Sequence, residues 1–188
     1  MTRLILRLLN APFLILIVAI GIALQSSLFC TWPLIYLQPD VILPVVVWCA
    51  LKRNFDEGGI ITLIIANMGE IHSAAPSGIF LLSYMIVYLL VRAASRYFVI
   101  QSLISFAVVT LISSAGWTLI GQLILYLLGI SASQWKHTLT FMLLGACIEG
   151  VFSIWAFKWL EKFDWSTFKN LRAEQAMEDE LQLNNEGF

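Results

Sequence analysis

From Val99 to Leu128 the chain carries no charged residue, a run longer than one crossing of a bilayer needs. The same character returns along the whole chain, with 12% charged and 60% hydrophobic residues in 188, whereas soluble domains are about a quarter charged. The chain reads as an all-α integral membrane protein. Basic residues stand at segment ends and form no patch, which excludes nucleic acid as a partner.

Six spans are predicted. Leu8 to about Leu28 is long enough for the ~30 Å hydrocarbon core at ~1.5 Å per residue. Arg3 and Arg7 precede it, but the apolar run to Cys30 is too long for a secretory signal, so it reads as an uncleaved helix. The second span, Thr31 to Leu51, is broken by Pro33, Pro39, Asp40 and Pro44, leaving Val41 to Leu51 uninterrupted. Lys52 to Gly59 reads as a charged turn before the third span, Ile60 to about Glu70, which is short unless Gly58 and Gly59 lie within it. The fourth is Ile79 to Ala93, the fifth lies within Val99 to Leu128, either tilted or beginning with an interfacial piece, and the sixth is Thr138 to Trp159, after a polar loop containing Trp135, Lys136 and His137. Two short neighbouring spans predict a locally indented bundle.

With the N-terminus cytoplasmic, the inner side holds Arg3, Arg7, Lys52, Arg53, Arg92, Arg96, Lys158, Lys162, Lys169 and Arg172, and the outer side only Lys136. The positive-inside rule then puts both termini in the cytoplasm. Residues 1–160 form the membrane domain, and 161–188 a tail whose first turns lie along the inner interface, beside membrane lipid, before an acidic, partly disordered end.

Few residues are candidates for chemistry. Cys30, Cys49 and Cys147 sit in or beside apolar runs, without metal-ligand or disulfide spacing. No nucleophile-base pair or phosphate loop is present, so no enzyme activity, metal or cofactor is expected. Glu70 ends the third span beside His72, and Pro76 and Gly78 follow as a tight re-entry. Glu70 has three readings: a hydrated acid ending the helix, a hydrogen bond fixing the turn, or an acceptor for a partner. Glu149 falls near the bilayer centre, where a carboxylate must be neutral, hydrogen-bonded or facing water. A protonated Glu149 is expected as a polar clamp to Ser113, Ser114 or Thr118, with a proton or substrate path as the alternative. Asp40 is expected to N-cap the helix that begins at Val41. Ala19 and Ala23, and Ala146 and Gly150, are small pairs that permit close helix contact.

The stretch from Ala66 to Gly78, with Pro39-Asp40 before it and Ser83-Tyr84 after it, resembles the rod shape-determining protein MreD family. In that family a Gly-Leu-x-x-Asp-x7-Gly-type signature joins the third and fourth spans; Glu70 stands for the Asp, Gly78 matches in spacing, and Ala66 replaces the first Gly. The resemblance implies a non-enzymatic, multi-pass protein of the bacterial inner membrane. It would anchor and regulate side-wall peptidoglycan synthesis within the cell-elongation machinery. Its partners would be MreC, a RodA-type glycosyltransferase with its class B penicillin-binding protein, and, indirectly, the MreB filament. The implied fold is a single six-helix bundle similar to the substrate-binding subunits of vitamin importers. Such a subunit is the alternative reading: Ala19-x-x-x-Ala23 looks like their coupling motif, and Asp40, Glu70, His72 and Trp135 could line an outer pocket.

Overall fold

The computed structural model of the chain describes residues 2–28, 39–73, 76–95, 102–129 and 135–167, and the side chains of all of these except 2–8 and 135–141. Among the described residues there are six helices and no strand: α1 (Thr2–Leu28), α2 (Ile42–Lys52), α3 (Phe55–Ile71), α4 (Ile79–Ala94), α5 (Leu103–Leu127) and α6 (Trp135–Ser166). Three segments, Leu9–Leu28, Leu103–Leu127 and Met142–Ser166, are long and apolar enough to cross a membrane. Cys30, Pro33, Arg96 and the tail from residue 168 onward lie outside the described residues.

The shortest helix is the centre of the bundle. α2 has 11 residues, about 16 Å at the usual rise, and is buried without a break from Ile42 to Ala50. A helix that is apolar all round belongs inside a bundle, and α3, α4, α5 and α6 all pack on α2. Pro44 falls in its first turn, where the missing N–H has no intrahelical acceptor to lose. Trp48 turns its ring edge to Phe106 of α5 and Phe157 of α6, at centroid distances of 6.1 and 5.3 Å.

α3 takes the longer of its two expected forms and shortens the expected turn. It begins at Phe55 rather than Ile60, so Gly58 and Gly59 lie inside the helix. Asp56 and Glu57 stand in its first turn, where acids suit the positive end of the helix dipole. Gly58 is demanded by packing, since a Cβ there would sit 2.9 Å from the Cys49 carbonyl oxygen of α2.

α6 is also longer than expected, starting within the predicted polar loop and continuing past residue 160 to Ser166. Its final turns stay on the bundle because Phe157, Leu160, Asp164 and Thr167 recur at helical spacing and are all buried. The start of α1, the end of α2 and the end of α6 meet at one end of the molecule, through Asn10, Arg53 and Asp164. Arg92, in the last turn of α4, joins them by donating to the carbonyls of Ala50 and Arg53. Lys52, Lys158 and Lys162 are on the same helix ends, which makes this the basic end.

Of the small pairs, Ala146 is buried and Gly150 meets Leu111 of α5. Ala23 is exposed, and the close approach on α1 is made instead by Gly21, whose Cβ position lies 2.8 Å from Val41.

Candidate functional site

Opposite the basic end, α2 begins inside the bundle and α4 at its surface, and a helix start leaves backbone N–H groups without intrahelical partners. Each start is closed by a glutamate from a neighbouring helix.

At α4, Glu70 of α3 accepts from Gly78 N through Oε1 and from Leu81 N through Oε2, the latter at 3.1 Å. Gly78 is the N-cap residue and has φ +95°, a conformation that glycine adopts without a Cβ penalty. A capping box needs two local side chains to hold the N-cap and N3 amides. Here one carboxylate from the preceding helix holds both, and its charge suits the positive end of the α4 dipole. Pro76 accepts from Ile79 N at 3.4 Å, and the Nδ1 of His72 is 2.9 Å from the Met68 carbonyl of its own helix.

At α2, three successive amides are satisfied from three sources. Asp40 N donates to Glu149 Oε2 of α6 at 2.8 Å, Val41 N to Gln25 Oε1 of α1 at 3.3 Å, and Ile42 N to Asp40 Oδ1 at 2.8 Å. Asp40 thus caps the helix from one residue before Val41, the residue at the N-cap position. Its Oδ2 accepts from the hydroxyl of Tyr84. Glu149 bonds the Asp40 amide and not the hydroxyls expected of α5: Thr118 donates to Ser114 O in its own helix.

Beside the start of α2 lies a recess of about 310 Å³, lined by Gln25, Asp40, His72, Phe80, Tyr84 and Trp117 among others. Tyr84 and Trp117 stack at 5.4 Å, and Phe80 meets Trp117 edge-on at 5.4 Å. Of the residues expected to line an outer pocket, Asp40 and His72 do so, whereas Glu70 is turned into the α4 start. The side chain of Trp135 lies outside the described residues. Trp117 had no local sequence signal; it is one of several aromatics in an uncharged helix, and only packing selects it.

A second polar cluster, at the basic end, was not expected from the sequence. Asp164 accepts from Arg53, from Asn10 Nδ2 at 3.2 Å and from Trp48 Nε1 at 3.1 Å, and Arg53 Nη2 also donates to Asn10 Oδ1 at 2.7 Å. Asn10 is wholly buried and Arg53 3% exposed. The one sequence signal for it is an Asn inside an apolar run, which needs partners wherever it is buried.

Between α4 and α5 runs an apolar groove of about 640 Å³, lined by Val87, Val91, Ile104, Val108, Ile112 and Gly116 among others. No group of three or more His, Cys, Asp or Glu residues suited to a metal occurs among the described residues.

Replacing Glu149 with Gln is expected to leave thermal unfolding in detergent nearly unchanged, because an amide oxygen can accept from Asp40 N. Glu149→Leu orphans that amide and is expected to cost about 1–3 kcal/mol. Equal stability of the two variants would show that the bond does not hold α2.

Comparison with known protein families, with curated proteins and with solved structures gives no match.

Proposed function

We propose that the chain is a non-enzymatic, multi-pass component of the bacterial cell-elongation machinery, of the MreD kind. In this reading it crosses the inner membrane six times with both termini cytoplasmic, and anchors and regulates side-wall peptidoglycan synthesis. The observation that carries it is the α3–α4 hinge. Its residues are those of the family resemblance, and Glu70 there clasps the start of α4 through Gly78. The gathering of Lys52, Arg53, Arg92, Lys158 and Lys162 at one end supports a cytoplasmic basic face.

The partner surface in this reading is the α4–α5 groove, which suits a single membrane-spanning helix such as that of MreC. Gly116 lies in it with nothing within 4 Å of where a Cβ would stand, and small residues let helix backbones approach closely in lipid. The test is affinity capture from native membranes, with Gly116→Trp as the blocking variant. The unaltered chain is expected to recover MreC and the RodA-type synthase, and Gly116→Trp to fold normally yet lose MreC. Undiminished capture by that variant would move the interface elsewhere.

The recess beside Asp40 favours a second reading, a substrate-binding subunit of a vitamin-type importer, since about 310 Å³ is at the small end of ligand pockets. Recovery of an ATPase-containing transporter core, with stabilisation by a vitamin, would decide for it.

A further inference from the structure

The recess at the start of α2 has an electrostatic imbalance that the helix-capping role leaves unexplained. Asp40 stands in its wall, and Glu149 of α6 accepts from the Asp40 amide beside it. Among the described residues no Lys or Arg lines the recess to balance Asp40, and His72 in its wall has Nδ1 2.9 Å from the Met68 carbonyl. The chain has no Lys or Arg in 8–51, 54–91, 97–135 or 137–157, and Lys136 is thirteen residues before Glu149 on the same helix, about 20 Å away along its axis.

Two buried polar atoms close to Asp40 or in the recess wall also lack hydrogen-bond partners among the described residues. Glu149 is 3% exposed, and its Oε1 is buried without a bond; the same holds for Nε1 of Trp117, in the recess wall. A buried carboxylate oxygen is costly to leave unpaired. The remaining walls are the faces and edges of Phe80, Tyr84 and Trp117, and aromatic faces attract cations, with quaternary ammonium groups the best-known case.

We infer that the recess binds an organic ammonium group, held by the carboxylate of Asp40 and the rings of Tyr84 and Trp117. An anion is opposed by the Asp40 carboxylate. A bare metal ion is opposed by the missing donor set and by a volume of about 310 Å³, which asks for a group with carbon substituents. The ammonium is supplied either by a lipid headgroup or by a free amine; the chemistry of recognition is the same. The site is independent of which partner the α4–α5 groove takes.

The test uses the full chain in nanodiscs of phosphatidylglycerol alone. Choline chloride and ethanolamine hydrochloride are titrated against sodium chloride at equal ionic strength, reading tryptophan fluorescence and thermal unfolding. A parallel sample replaces half the lipid with phosphatidylethanolamine. A saturable change with either free amine identifies a free ammonium ligand, and a change with phosphatidylethanolamine alone identifies the headgroup. Asp40→Asn, which keeps an acceptor for Ile42 N, is expected to weaken the response by about tenfold or more. Trp117→Leu is expected to do the same and carries the comparison if Asp40→Asn does not fold. No response to free amine or to phosphatidylethanolamine, or a response that both variants retain in full, would overturn the site.

Discussion

Asp164→Ala is expected to be among the most damaging single substitutions in this protein, lowering the thermal unfolding temperature in detergent by about 10 °C or preventing accumulation. Asp164 accepts from Arg53, Asn10 and Trp48, so its loss orphans several donors at once. The gravest consequence is at Arg53, which is 3% exposed and keeps, among the described residues, Asn10 and a longer contact to Glu57 at 3.6 Å. Removing one partner of a buried ion pair costs about 3–5 kcal/mol, a large part of the 5–15 kcal/mol typical of a folded domain. Replacing both charges by apolar residues, Arg53→Met with Asp164→Leu, is expected to recover most of that loss, because neither charge is left uncompensated. A double variant no better than Asp164→Ala would mean that the pair's specific geometry, and not charge balance, holds the three chain segments together.

Gly58 and Gly59 are adjacent in α3, yet their alanine variants are expected to move stability in opposite directions. A Cβ on Gly58 would be 2.9 Å from both the Cys49 carbonyl oxygen and the Tyr88 hydroxyl, which itself donates to Phe55 O at 2.7 Å. The carbonyl belongs to the buried helix α2 and cannot swing aside, so overpacking of about 1–3 kcal/mol is expected. On Gly59 the nearest atom is 3.8 Å away, and there Ala brings only its better helix propensity, up to about 1 kcal/mol of stabilisation. Thermal unfolding of the two variants under one set of conditions checks the pair. Equal shifts would mean that α3 does not press on α2 at Gly58.

The expected boundaries failed where tertiary contact overrode local signals. Lys52 to Gly59 reads as a turn on composition, yet the helix resumes at Phe55, because glycine at position 58 is what lets α3 lie against α2. Beyond Trp159 the charges suggest a departure from the bundle, yet α6 continues because one of them, Asp164, is buried against Arg53. Asp40 and Glu70 stood out from the sequence as polar residues at breaks in apolar runs, and both breaks are helix starts or ends. What Glu70 and Glu149 have in common was not legible: each caps a helix other than its own.

By itself the sequence determined a helical, membrane-compatible chain, the order of its apolar segments and the clustering of positive charge at their ends. These follow from transfer energies and backbone geometry, which act on each segment alone. Only the tertiary structure decided that α2, the segment least able to cross a bilayer, is the core, that Asp40, Tyr84 and Trp117 line one recess, and that Glu149 bonds the Asp40 amide beside it. Those residues come from four separate segments, and a hydrogen bond over 109 positions leaves no periodic trace in the chain that makes it.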